Sequence, residues 1–240
     1  MPFSRFLAAR RRGVPLASLC AVCHGWGIGR LCTTCVERFA APVARCRRCA
    51  LQTPAGTALC GRCLIDPPPY TRTSAAVDYE HPWDGLITRY KFHAALDLAP
   101  AFAVRMREAL QRDGAPPPAL LLPIPLSDAR LRERGYNQAW ELARRLARAQ
   151  GCRADAQLLL RVRDTPHQLA LPPEERAGNV RAAFAIEPAR RAELAGRDVT
   201  LVDDVMTTGA TVAEAARTLL QGGAREVSVW VLARTPRPDD

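Results

Sequence analysis

Lysine is nearly absent from this chain: Lys91 stands alone, and arginine supplies every other member of its 34 basic residues. That scarcity excludes a Walker-type ATPase, whose G-x-x-x-x-G-K-[ST] loop needs a lysine behind glycines, because Lys91 sits in Tyr90-Lys91-Phe92. No G-x-G-x-x-G follows an apolar run either, which argues against a dinucleotide-binding fold. Long apolar stretches are also missing. The longest, eight residues at 119–126, is broken by Pro123 and Pro125 and falls far short of the about 20 residues that cross a bilayer. The arginines at 5 and 10–12 are followed by no sustained apolar run, so neither an export leader nor a membrane partner is expected. A reduced, cytoplasmic setting follows as the expectation.

What is present fits a folded protein. Hydrophobic residues make up 48% and charged residues 24%, too apolar for a disordered chain. The net charge of +10 points weakly to phosphates or nucleic acid, and a solvated basic surface or a compositional bias toward arginine explains it as readily.

Cysteine is the informative residue. Eight of nine stand in four C-x2-C pairs, Cys20/Cys23, Cys32/Cys35, Cys46/Cys49 and Cys60/Cys63, with Cys152 left over and without a role. Each such knuckle turns two thiolates toward one tetrahedral ion, so four knuckles imply two structural Zn²⁺. Redox dithiols rarely come four in a row. Sequential closure (20, 23, 32, 35 and 46, 49, 60, 63) suits short hairpins and is preferred, and interleaved closure stays open. All eight precede three prolines at 67–69, a stiff break that divides the chain into a cysteine-rich module, 1–69, and a larger domain, 70–240.

The larger part alternates helical and strand patterns. Ala99, Phe102, Ala103, Met106 and Leu110 recur at helical spacing, residues 119–125 form a short buried strand, and a helix runs from Asn137 to Gly151. Residues 158–162 and 199–202 look like strands. A helix carrying Val212, Ala215, Ala216, Leu219 and Leu220 precedes a last strand over 227–232. This order predicts an α/β fold, a mostly parallel sheet with helices on both faces, binding its ligand beyond the carboxyl ends of the strands.

The sharpest signal is Val202-Asp203-Asp204-Val205-Met206-Thr207-Thr208-Gly209-Ala210-Thr211. A buried strand ending in two acids, then a hydroxyl- and glycine-rich turn opening a helix, builds a dianionic phosphate site beside acceptors for vicinal hydroxyls or a metal ion. Phosphate plus diol describes a ribose 5-phosphate.

These ten residues resemble the phosphoribosyl-pyrophosphate (PRPP) signature of type I phosphoribosyltransferases. With the double zinc-ribbon module, LLPIPLSDARLRERGYNQA at 121–139, and Thr165-Pro166-His167-Gln168 with Arg176 and Asn179, the chain resembles the ComF family of competence-associated, GntX-like proteins. The resemblance implies that Asp203 and Asp204 hold the ribose hydroxyls while Thr207, Thr208, Gly209 and Thr211 cradle the 5-phosphate, with Mg²⁺ accompanying PRPP. Arg134 would join the two acids in catalysis by stabilising the pyrophosphate. Arg130, Arg132, Tyr136, Asn137 and Gln138 are further candidates beside it, although Arg130 and Arg132 read equally well as a basic turn before a helix. Gln168, Arg176 and Asn179 would lie on a loop closing over the reaction, whereas His167 reads as a surface residue and Lys91 as a helix-surface lysine. Glutamine-dependent ammonia release is not expected, because it needs an amino-terminal cysteine and the chain opens Met1-Pro2-Phe3.

Two functions therefore stand side by side. One is a phosphoribosyl transfer to an unidentified acceptor, with a role in DNA uptake or natural transformation. The other is a PRPP- or nucleotide-binding accessory protein without turnover, its zinc module contacting single-stranded DNA or DNA-uptake proteins. Two Zn²⁺ on eight thiolates would lower the module's positive charge and weaken its case for DNA.

Overall fold

The computed structural model describes residues 17–163 and 183–236. Five strands form one parallel sheet: β3 (Arg72–Asp78), β4 (Leu120–Pro123), β5 (Arg153–Ala154), β8 (Asp198–Met206) and β9 (Glu226–Arg234), in the order β3-β9-β8-β4-β5. All four pairings are parallel. Helices cover both faces, as parallel strands joined by helical crossovers require.

One face packs α3 (Trp83–Phe92), α4 (Ala99–Arg112) and α6 (Gln138–Gln150) against Leu121, Val202, Trp230 and Leu232. The opposite face packs α7 (Ala210–Gln221) against Leu120, Leu122, Val199, Leu201, Val227 and Val229. Helix α6 begins where Asn137 Oδ1 accepts from the Ala139 and Trp140 N–H groups, and it ends at Gly151, whose φ of 68° suits a left-handed cap. These two caps bound the helix expected from the sequence.

Three expectations need correction. The strand carrying the acid pair does not stop at the acids: β8 continues to Met206, because Asp203 and Met206 still pair in register with Val231 and Arg234 of β9. Residues expected as a strand at 158–162 form β6 (Leu159–Arg161), which pairs antiparallel with β7 (Phe184–Ile186) outside the main sheet. Leu158, Leu159 and Phe184 there bury their apolar side chains in the α7-side core, so burial rather than sheet extension fixes this hairpin. Arg130, Arg132 and Arg134 lie on a short helix, α5 (Asp128–Arg134), started by Ser127, whose side chain accepts from the Arg130 N–H, and closed by Gly135 at φ 80°. The turn alternative for these arginines gives way to about two windings of helix.

Strand β3 had no sequence expectation, and helix α3 had none beyond a helical setting for Lys91. Helix α3 was legible, since Trp83, Leu86, Ile87 and Tyr90 are buried at i, i+3, i+4 and i+7. The strand was not: Thr73, Ser74 and Ala75 are buried in succession, so its first half shows no alternation.

The cysteine-rich segment repeats one small unit. Strands β1 (Ala17–Leu19) and β2 (Trp26–Ile28) flank the first knuckle, and α1 (Thr33–Phe39) begins after Cys32 and contains Cys35. In the second unit a bridge between Arg45 and Gln52 flanks the knuckle, and α2 (Gly61–Ile65) begins after Cys60 and contains Cys63. Hairpins were expected between knuckles. Instead the antiparallel pair encloses the first knuckle and a helix supplies the second, because a cysteine at the helix start and another on its first turn face one point.

Candidate functional site

Each four-cysteine group is sequential: Cys20, Cys23, Cys32 and Cys35 form one and Cys46, Cys49, Cys60 and Cys63 the other, with all four ligand atoms of a group within 4.8 Å of one another. The knuckles are built alike. The N–H of Cys20 donates to the Gly25 carbonyl at 2.9 Å and that of His24 to the Cys20 carbonyl at 3.0 Å; Cys46 to Leu51 and Ala50 to Cys46 repeat the pattern at 2.8 Å each. His24 and Ala50 accordingly share a positive φ, 59° and 56°, a costly conformation for a residue with a Cβ. A loop that accepts such strain in both copies is shaped by what its thiols converge on.

Acidity within each group is uneven. Burial raises the Cys20 thiol, but N–H groups of Cys32, Cys23 and Val22 outweigh it and bring it down to about 6. Cys46 falls likewise to about 7, because N–H groups of Cys60, Cys49 and Arg48 overcome burial. Burial first and neighbouring thiols second push Cys35 up to about 12. Four packed thiols cannot all ionise unaided, whereas a divalent cation lets them, so each group has the donors and geometry to hold one metal ion.

The groups differ in depth. All four cysteines of the second are buried, whereas Cys23 of the first is exposed and Cys32 is half-buried. The second joins the α7-side core itself and is stitched to the sheet, since the Thr73 N–H donates to the Arg47 carbonyl at 2.8 Å and Arg45 pairs with Asp78 at 2.8 Å. The first is tied through Arg30 to Asp97 at 2.7 Å and through the Trp83 indole N–H to the Phe39 carbonyl at 2.6 Å.

The acid pair lies at the carboxyl edge of the sheet. Asp203 is half-buried, and Asp204 is only 2% exposed. Burial, then repulsion from Asp204, holds the Asp203 carboxyl well above the usual carboxylate range despite the pull of Lys91. Asp204 Oδ1 accepts from the Val205 N–H at 2.8 Å and meets Lys91 Nζ at 3.0 Å, while Asp204 Oδ2 is buried without a partner. Lys91 is on a helix, as expected, yet its side chain is 20% exposed and turned onto the acid rather than to solvent. Sequence reasoning missed this residue. Its only signal was its place one residue after the buried Tyr90 stripe, as the chain's sole ammonium.

Around Lys91 the end of α3 collects the second motif. Phe92 underlies the Arg134 guanidinium at 4.9 Å from its ring centre, the Tyr90 hydroxyl donates to the Gln138 carbonyl at 2.8 Å, and the Tyr136 hydroxyl donates to the Tyr90 carbonyl. Arg134 also donates to Gln138 Oε1, and Asn137 Nδ2 donates to the Ile124 carbonyl at 3.0 Å. The Ile124 N–H in turn donates to the Val202 carbonyl at 2.8 Å, so the loop after β4 leaves the sheet beside the acids. Arg132 is exposed and its Nε donates to the Asp128 carbonyl of its own helix at 3.2 Å. Arg130 is half-buried on the same helix.

The turn after β8 is shaped around its glycine. Gly209 has φ 84°, and a Cβ there would come within 2.8 Å of Met206 Cε and 3.1 Å of the Tyr70 hydroxyl, so only glycine fits. It begins α7 without a side-chain cap, there is no acid in the first turn, and Thr208 Oγ1 accepts from the Ala210 N–H at 3.3 Å. Thr207 is exposed, and Thr208 and Thr211 are half-buried. An anion is therefore welcome at this helix start. Gln168, Arg176, Asn179 and His167 lie outside the described residues. Among the described residues no helix is long and apolar enough to cross a membrane.

Residues 122–239 match the phosphoribosyl transferase domain family. The chain is 37% identical over 214 residues to the DNA utilization protein YhgH of Salmonella typhi, which covers 88% of this chain and 91% of that one. It is 34% identical over 160 residues to Competence protein F of Haemophilus influenzae, covering 65% and 69% of the two chains. Competence protein ComFC of Bacillus subtilis is 31% identical over 150 residues, or 62% and 58% of the chains. Relatedness of this extent, reaching past the phosphoribosyl transferase domain into the cysteine-rich segment, places the chain in the ComF family.

Proposed function

We propose that the chain binds PRPP with Mg²⁺ at the carboxyl edge of the sheet and transfers its phosphoribosyl group to an acceptor, in the service of DNA uptake or utilization. One observation carries this reading: the end of α3 joins Asp204, through Lys91, to Arg134, Tyr136 and Gln138, through Phe92 and Tyr90. A diol-accepting acid pair, a phosphate turn and a cation for a leaving group thus stand on one scaffold. In the reaction Asp203 and Asp204 accept from the ribose hydroxyls, Thr207, Thr208, Gly209 and Thr211 hold the 5-phosphate, and Arg134 faces the departing pyrophosphate. Catalysis then consists of positioning and charge stabilisation. The unpartnered Asp204 Oδ2 suits a divalent cation, and Mg²⁺ with the acids and the ligand's oxygens would neutralise the pyrophosphate. Zn²⁺ is the ion that fits two tetrahedral four-thiolate groups.

Calorimetry with PRPP and Mg²⁺ tests this. The parent protein should bind, and Asp203→Asn/Asp204→Asn should weaken binding by at least about a hundredfold, since a lost hydrogen bond to a charged group is worth about 1.5–3 kcal/mol and two are lost. Pyrophosphate release, screened against bases, amines and DNA fragments, reads turnover. A parent that neither binds PRPP nor differs from the double variant sinks the proposal.

A second reading, an accessory protein contacting single-stranded DNA through the cysteine-rich segment, is favoured by Trp26 and Ile28. These neighbours on one face of β2 are 77% and 69% exposed, a platform on which a base can stack. Trp26→Ala is expected to weaken single-stranded DNA binding by about tenfold, at about 1–3 kcal/mol per stacked base. Fluorescence anisotropy with a labelled oligonucleotide measures it, and unchanged affinity removes this contact.

A further inference from the structure

We propose that Arg234 is the positioning residue for the phosphate turn and couples that turn to the second four-cysteine group. It rests on the PRPP reading of the same site. Arg234 ends β9 with 4% exposure, a burial rare for a charged side chain unless it has partners there. Its Nε donates to the Cys49 carbonyl at 2.8 Å, and its Nη1 to the carbonyls of Met206 at 2.9 Å, Thr207, and Thr235 at 2.8 Å. One planar guanidinium thus spans the knuckle and the first two peptides of the turn.

Peptide planarity converts these bonds into a function. In a trans peptide the C=O and the following N–H point in opposite directions. With the Met206 and Thr207 carbonyls held toward Arg234, the N–H groups of Thr207 and Thr208 point away from it, toward the side where a phosphate would sit. Gly209, Thr208, Tyr70, Cys49 and Cys63 meet Arg234 around a cavity of about 370 Å³, and the Thr235 N–H, which donates to the Met206 carbonyl at 3.0 Å, is another support of the turn on that side. Without the guanidinium the Met206 carbonyl keeps only the Thr235 N–H, at 3.0 Å, while the Thr207 carbonyl loses its partner, so the peptide between Thr207 and Thr208 can rotate and its N–H loses its direction. Lysine cannot replace it, because a single ammonium cannot reach both the knuckle and the turn with the spread of a planar fork.

Arg234→Lys tests this by amide hydrogen exchange and by calorimetry with PRPP and with ribose 5-phosphate. Exchange at 207–211 should rise at least about tenfold while exchange in β4 stays as in the parent, and affinity for both ligands should fall about tenfold to a hundredfold. Parent-like exchange and affinity would overturn the inference. So would a uniform rise across the sheet with affinity tracking only the unfolded fraction, since that is the signature of general destabilisation. If the parent itself ignores PRPP, the functional reading fails and the exchange data alone decide the coupling. Should Arg234→Lys not fold, Arg234→Gln keeps a donor beside Met206 and is judged by the same two measurements.

Discussion

Lys91→Met should destabilise the protein by about 3–5 kcal/mol, the usual effect of stripping one partner from a buried ion pair. The cause is Asp204: it is 2% exposed, its Oδ1 meets Lys91 Nζ at 3.0 Å and its Oδ2 has no partner, so removal of the ammonium leaves a buried charge with one backbone donor. Methionine keeps most of the stem's volume, which separates loss of charge from loss of packing. Lys91→Met/Asp204→Asn removes both charges and should recover most of the stability while PRPP affinity stays low. The pH dependence has a definite sign. Asp203 has a folded pKa raised above its unfolded value near 3.9, so its contribution to stability is complete below that value and is lost as pH rises through the folded pKa. Without Lys91, which now draws that pKa down, the loss deepens, and the deficit of Lys91→Met should be larger at pH 8 than at pH 5. Urea unfolding at both pH values checks each point. Equal stability of Lys91→Met and the parent, or no recovery in the double variant, would refute the account.

Lys91 also marks where sequence reasoning stops. The glycine turn after β8 was legible because its conformation is local: a glycine that must adopt φ 84°, hydroxyls beside it and a helix that follows are all within a few residues. The caps of α6 were legible for the same reason, as Asn137 and Gly151 act on their own helix. What joins Lys91 to Asp204, or Phe92 to Arg134, is the stacking of α3 over the sheet, and no pattern in Tyr90-Lys91-Phe92 announces it. Strand β3 hid for a related reason. Buried on both faces beside β9, it carries Thr73, Ser74 and Ala75 where an exposed strand would alternate. Conversely, the two acids looked like a strand end only because polar residues usually lie outside sheets, and pairing with Val231 through Arg234 carries β8 past them.

The cysteine groups lead to the prediction with the largest effect. By spacing alone the two are equivalent, yet the second is buried with the α7-side core and the first sits at the periphery. Cys63→Ser should reduce bound metal from about two ions per chain to about one and abolish cooperative folding of the whole molecule. A structural four-thiolate site contributes about 10–16 kcal/mol in small metal-folded peptides, comparable with the about 5–15 kcal/mol total stability of a typical domain. Its collapse would also open Leu51 and the face of the sheet around Ala75 and Val229 to water. Cys32→Ser removes one ion as well, but Cys32 is half-buried at the start of α1, and the sheet keeps both of its cores. Its thermal midpoint should stay within a few degrees of the parent, and its PRPP affinity should be unchanged. Metal analysis together with circular dichroism melts separates the cases. Equal losses in the two variants would mean that the second group is no more a part of the sheet's core than the first. A larger loss for Cys32→Ser would reverse the order, and the amino-terminal knuckle, with Arg30 on Asp97 and Phe39 on Trp83, would then be the one that holds the α3 and α4 face together.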